Sequence, residues 1–214
     1  MSVTYVEMEH WARSEHFRHY LDEVNCRYGM TDTLDITEFL PALKAKGGKF
    51  YPAVIYLLAR CVNARAEFRM SLDEQGRLFY YDRLDPSYTI FHQDTETFSC
   101  LWTSYTDCFA DFQQSYLEDV KNFGGCHAMV AKPAGQTFDI SCLPWRSFSE
   151  FHLDLPDARR FLLPIFTIGR YFERDGRTLL PLSVQVHHAV CDGFHLCRLF
   201  DDCQQLIDQF SSWL

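Results

Sequence analysis

The hydrophobic period of this chain changes twice, and that order limits the folds open to it. Helical spacing comes first, with Phe17, Tyr20, Leu21 and Val24 on one face. Asp35 followed by Glu38 resembles a capping box ahead of Phe39, Leu40 and Leu43, with Gly47 as a stop. Pro41 sits awkwardly inside that helix. Pro52 opens a third apolar helix through Ile55, Leu58, Ala59 and Val62. The period then drops toward two. Segments 68–72 and 77–81 flank a turn at Gly76, and 88–92 pairs with 98–102. A helix is expected from about 107 to 123, with Phe109, Phe112, Tyr116 and Val120 on one side. Strands return at 137–142, 151–155 and 164–172, and Asp175-Gly176 turns the chain into 180–188. A last helix carries Leu196, Leu199, Phe200, Cys203, Leu206, Ile207 and Phe210. Early helices, central strands and a closing helix predict an α/β two-layer sandwich.

Composition narrows the class. A length of 214 residues fits one domain and a sizeable core, so residues 1–214 are expected to form a single domain. Aromatic residues make up 16% of the chain, which predicts a core and pockets walled by flat rings. The net charge of −9 argues against nucleic-acid or anionic-membrane binding by bulk electrostatics. The longest apolar run, 53–59, is far too short to span a membrane. The first 17 residues are dotted with Glu, His and Arg and do not read as a signal peptide. Nine scattered cysteines without a CxxC pair read as reduced thiols, which predicts a cytoplasmic protein. Segment 122–136, with Gly124, Gly125, Pro133 and Gly135, is the loosest stretch.

The densest chemistry is Val186-His187-His188-Ala189-Val190-Cys191-Asp192-Gly193-Phe194-His195, where a strand runs out and the last helix begins. Successive strand residues face opposite sides, so His187 and His188 cannot share one role. Three readings stand at this point. The His, Cys and Asp side chains could ligate a metal, although the run lacks zinc-finger spacing or an HExxH helix. An imidazole could serve as a general base on an alcohol or thiol. The histidines could also be satisfied core residues.

The string HHxxxDG resembles the signature of CoA-dependent acyltransferases. Further segments are similar to the chloramphenicol acetyltransferases of the trimeric, non-hexapeptide-repeat type. They are Trp11-Ala12-Arg13-Ser14-Glu15-His16-Phe17, Lys49-Phe50-Tyr51-Pro52, Thr95-Glu96-Thr97-Phe98-Ser99, Pro144-Trp145 and Pro164-Ile165-Phe166-Thr167. The run from Leu182 through His195 completes the set, in family order, across nearly the whole chain. The resemblance implies a mixed, largely antiparallel sheet with packed helices.

It also implies site residues. His188 matches the general base that takes the proton of the primary hydroxyl of chloramphenicol as it attacks the thioester of acetyl-CoA, its tautomer held partly by its own backbone carbonyl. Ser141 matches the donor to the tetrahedral oxyanion, and Thr167 a threonine that holds a water. Asp192 and Arg13 match a buried ion pair that shapes the site. Tyr20, Val24, Tyr28, Phe98, Phe151, Leu153 and Ile165 fall on acceptor-pocket positions. Lys49, Trp145, Arg170 and Tyr171 fall on cofactor positions. Acetyl-CoA is implied as co-substrate, no metal is expected, and transfer is direct, so Cys191 is not a nucleophile. A homotrimer with sites between subunits follows from the same resemblance. Two departures, Asp139 for Asn and Cys142 for Ala, touch local hydrogen bonding beside Ser141. Acetylation of a different alcohol, or sequestration of hydrophobic drugs without turnover, remain the alternatives.

Overall fold

The computed structural model describes residues 2–133, 135–153, 155 and 160–214. The chain opens with β1 (Val3–Tyr5) and α1 (Ser14–Arg18), which continues as a π-helical turn, His19–Glu23. Strand β2 (Arg27–Asp35) leads to α2 (Phe39–Ala45) and α3 (Phe50–Ala64). Strands β3 (Met70–Leu72), β4 (Leu78–Tyr81), β5 (Asp85–His92) and β6 (Thr97–Trp102) precede α4 (Phe109–Phe123). Then come β7 (Thr137–Leu143), β8 (Ile165–Gly169), β9 (Phe172–Arg174), β10 (Arg177–His187) and α5 (Gly193–Asp208). The main sheet runs β2-β10-β8-β7-β5-β6, with β9 also paired to β10, and β1-β4-β3 form a small second sheet. Only β5/β7 and β7/β8 are parallel, so the main sheet is mixed and largely antiparallel, as expected.

Helix α3 is buried on nearly every face from Pro52 to Ala59 and packs against α4, α5 and β5. Its burial all round explains why its apolar residues run on without a polar stripe. Alternation along β10 sends Leu182, Val184 and Val186 into the hydrophobic core. Ser183, Gln185 and His187 take the opposite face and are buried as well.

Three local expectations change. Asp35 is no helix cap: its carboxylate accepts from the Thr37 backbone N–H (3.0 Å) and hydroxyl (2.5 Å), which closes a turn before α2. Pro41 is accommodated because it lies in the first turn of α2, where a backbone N–H has no helical partner to lose. Segment 151–153 belongs to no strand; side chains rather than a ladder tie it to β10. Asp154, within that expected strand, and Ala134, within the loose segment 122–136, lie outside the described residues. Among the described residues no helix is long and apolar enough to cross a membrane.

Candidate active site

Strand β10 ends at His187, and the chain turns at once, with the Val190 and Cys191 N–H groups both donating to the His187 carbonyl at 3.1 Å. Helix α5 then starts at Gly193, where the Asp192 N–H donates to His195 Nδ1 (3.0 Å). His188 sits in the turn. Its N–H donates to the Cys26 carbonyl (2.9 Å), and its ring stacks on Tyr20 at 3.8 Å and 11°. Tyr28 closes another side at 5.1 Å. His188 Nδ1 lies 3.2 Å from the Cys191 carbonyl, which can only accept. Nδ1 therefore carries the proton, and Nε2 presents its lone pair. Asp192 Oδ1, 3.4 Å from Nδ1, favours the same arrangement.

The expected ion pair forms, but it is partly buried rather than buried, with 36% of the Asp192 side chain exposed. Arg13 forks onto Asp192, with one bond from Nη1 to Oδ2 and another from Nη2 to Oδ1 at 3.1 Å. Nη2 also reaches the carbonyls of His188 (3.2 Å) and Ala189 (3.5 Å). The backbone carbonyl of His188 accepts from Arg13, and the turn brings the Cys191 carbonyl to the ring as well. Burial works to raise the Asp192 carboxyl, but the hydrogen bonds and charge of Arg13, with His195 and His188, hold it below the ordinary range.

Two neighbours are inert. The Cys191 thiol is buried and points at the Glu67 carbonyl (3.7 Å), and burial pushes its pKa far up. His187 is fully buried, and its Nδ1 accepts from the Ala189 N–H (3.1 Å). Burial, then the charges of Arg27 and His188, hold its pKa down at about 4, so the ring is neutral. The two adjacent histidines have different environments, His187 as the last residue of β10 and His188 in the turn beyond it.

A second group lies on the opposite face of the sheet. Register places Thr31, Ser183, Thr167 and Ser141 in one lateral row across β2, β10, β8 and β7. Gly29, Gln185, Ile165 and Asp139 form the next row. Thr167 and Ser183 are buried, and Ser141 is half-buried. Segment 151–153 crosses this face, with Ser183 Oγ donating to the Phe151 carbonyl at 2.8 Å. Phe151, Leu153, Ile165, Thr167 and Ser141 are therefore neighbours of one surface. Ser183 and His188 are five residues apart. At roughly 3.3 Å per strand residue, the serine row and the imidazole are about 16 Å apart along β10. Within one chain they do not meet.

A third feature is an aromatic cleft of about 420 Å³ between the start of α3 and the ends of β5, β7 and β8. Phe50, Tyr51, Phe91, Trp145, Arg170 and Tyr171 line it. Phe91 meets Trp145 edge-on at 4.7 Å, and Phe50 meets Tyr171 at 5.4 Å. Cys142 lines it too, and burial pushes its thiol up to about 11, which leaves it protonated.

A family model for chloramphenicol acetyltransferase matches residues 1–204. A chloramphenicol acetyltransferase of Clostridium perfringens is 43% identical over 216 residues, covering 100% of this chain and 99% of the relative. One from Campylobacter coli is 44% identical over 211 residues, covering 98% and 100%. The chain belongs to the chloramphenicol acetyltransferase family. It is thus an acyltransferase, as the sequence resemblance implied. Among solved structures, a chloramphenicol acetyltransferase superposes with a TM-score of 0.85 at 21% identity, covering 96% of this chain and 100% of its own. The Azotobacter vinelandii dihydrolipoamide acetyltransferase superposes with a TM-score of 0.67 at 20% identity, covering 93% and 88%. At those identities the solved structures show the CoA-dependent acyltransferase fold.

In this family member the sequence-predicted residues fall into the three groups. His188, Tyr20, Tyr28, Arg13 and Asp192 gather at the end of β10. Ser141, Thr167, Phe151, Leu153 and Ile165 lie on the opposite face. Trp145, Arg170 and Tyr171 line the cleft, and Lys49 stands directly before Phe50, the lining residue that opens α3. Val24 is half-exposed past the π-helical turn, and Phe98 is half-exposed on edge strand β6, opposite Phe91. The sequence reading did not single out Phe50, Tyr51 or Phe91 as cleft residues, although the first two stand in the segment Lys49-Phe50-Tyr51-Pro52.

Proposed function

We propose that this enzyme transfers the acetyl group of acetyl-CoA to the primary hydroxyl of chloramphenicol and thereby inactivates the antibiotic. The observation that carries this reading is the His188 ring, whose Nδ1 is committed to the Cys191 carbonyl so that Nε2 is left as a base. An alcohol is a poor nucleophile at neutral pH, and a positioned base is what the reaction lacks. His188 Nε2 takes the hydroxyl proton as the oxygen bonds to the thioester carbon. Ser141 donates its hydroxyl to the oxyanion that forms, and Thr167 holds a water beside it. Collapse breaks the C–S bond, and the proton on His188 passes to the CoA sulfur. Transfer is direct. The buried Cys191 thiol, turned to the Glu67 carbonyl, supports the absence of an acyl-enzyme.

Arg13 and Asp192 act on this chemistry from behind, by fixing the turn that carries His188. The acceptor pocket is formed by Tyr20, Val24, Tyr28, Phe98, Phe151, Leu153 and Ile165, whose flat and branched walls suit a nitrophenyl ring. The cleft fits acetyl-CoA: its walls are apolar enough for a pantetheine arm, with Trp145 and Tyr171 alongside, while Arg170 and Lys49 suit the phosphates. No metal takes part.

Because His188 and Ser141 are far apart along one chain, the reading needs a second copy. We take the enzyme to be a homotrimer, with His188 of one subunit facing the serine row of the next. Its nine free thiols are consistent with a cytoplasmic protein made of one domain over 1–214. The test is release of free CoA from acetyl-CoA in the presence of chloramphenicol, with the product confirmed by mass and the particle mass measured by light scattering. Acceptor-dependent release by a trimer is expected. A folded trimer that binds acetyl-CoA but leaves chloramphenicol unmodified sends the reading to another alcohol, and a monomer with full activity overturns the shared site.

A further inference from the structure

We propose that Gln185 is a positioning residue for the acceptor pocket: its amide clamps segment 151–153 onto the sheet. The role rests on the reading of Phe151 and Leu153 as acceptor walls. Gln185 is buried in β10, on the face that carries Ser183 and Thr167. Its Oε1 accepts from the Leu153 N–H at 2.9 Å, and its Nε2 donates to the Leu153 carbonyl at 2.9 Å. The second Nε2 proton goes to His152 Nδ1 at 3.1 Å. Both backbone groups of Leu153 are thus paired to one side chain. The amide mimics the strand partner that segment 151–153 lacks, and the two backbone contacts fix which end of the amide is oxygen.

The surrounding residues fit that role. Ser183, two residues earlier on the same face, donates to the Phe151 carbonyl, so the segment is tied at both of its wall residues. Gly29 is the β2 partner of Gln185, and a Cβ there would meet Gln185 Cγ at 3.0 Å. Glycine at 29 therefore leaves the space the clamp occupies. On the other side, the partner of Gln185 is Ile165, itself an acceptor-wall residue. One side chain sets the height of Leu153 above Ile165 and so the width of the pocket.

A clamp acts on the acceptor and leaves the distant cleft alone. Gln185→Leu removes all three hydrogen bonds and is expected to raise KM for chloramphenicol about tenfold, with KM for acetyl-CoA within about twofold of the parent. Gln185→Glu keeps the acceptor for the Leu153 N–H and loses the donor; its defect is expected to shrink as pH falls and the carboxyl regains a proton. Gly29→Ala crowds the clamp without touching its chemistry and is expected to give a smaller rise of the same kind, which keeps the test available if Gln185→Leu does not fold. Amide hydrogen exchange at Leu153 reads the clamp without substrate: protection in the parent and its loss in Gln185→Leu are expected. Unchanged protection, or equal changes in both KM values, overturns the clamp. A parent with a protected Leu153 but no turnover of chloramphenicol overturns the acceptor reading and the positioning role with it.

Discussion

Two candidate regions lie three residues apart, one at Gln185 in β10 and one at His188 just past its end, and they are held by different means. The His188 end is fixed by full charge and by backbone carbonyls: Arg13 binds Asp192 and two turn carbonyls, and the Cys191 carbonyl takes the ring proton. The face around Gln185 is tied by the Gln185 amide and the Ser183 hydroxyl, with the His152 ring as a further acceptor. On the proposed reading, His188 as a base needs one tautomer at rest, which the Cys191 carbonyl acceptor enforces, whereas a wall that meets a neutral ring would need only constant shape.

Breaking the first region has the larger effect. His188→Ala is expected to lower kcat by about 10³-fold or more, read by CoA release, with thermal unfolding little changed. Ser141→Ala, on the other face, is expected to cost about 10²-fold in kcat at nearly constant KM for both substrates. Arg13→Ala sharpens the contrast, because it strips two carbonyls and one carboxylate at once. About 2 kcal/mol of stability should go, measured by urea unfolding, together with much of the turnover as the His188 turn loosens.

A pH titration isolates the buried histidine His187. The folded pKa of His187, about 4, lies below its unfolded value near 6.5, so the unfolded chain binds the extra proton between them. Its contribution is fully present above pH 6.5 and is lost as pH falls toward 4, about 3 kcal/mol in all. His187→Gln should flatten that window of the urea-stability profile while leaving stability at neutral pH and turnover largely in place. A slope identical to the parent's would mean that another group carries it. The smallest effect is expected from His195→Ala, which removes the side-chain acceptor for the Asp192 N–H at the start of α5 and should cost about 1 kcal/mol.

Much of this was legible in the sequence. Alternation and helical spacing located β4 to β6, β10, α3, α4 and α5, because each is long or flanked by a clear turn. The order HHxxxDG put a histidine at a strand end and an aspartate at a helix start, which is where the structure has His188 and Asp192. What stayed hidden depends on pairings between distant residues. The carbonyl that sets the His188 tautomer belongs to a turn whose shape no periodicity encodes. Segment 151–153 reads as a strand because its residues alternate, yet its backbone is bonded to a glutamine and a serine side chain. Asp35 looked like a cap because the spacing to Glu38 fits, while Thr37 lies nearer.

The distance between the serine row and His188 along β10 has a genetic consequence. If each site draws its base from one subunit and its serine from the next, every copy of β10 serves two sites. A chain with His188→Ala still offers a sound serine face, and one with Ser141→Ala still offers a sound base. Each is inactive by itself. Expressed together, they assemble into rings in which one junction unites the intact halves, and random mixing restores about a quarter of all junctions. Two resistance-negative alleles in one cell would then complement each other, and a cell carrying both would grow where neither single mutant does.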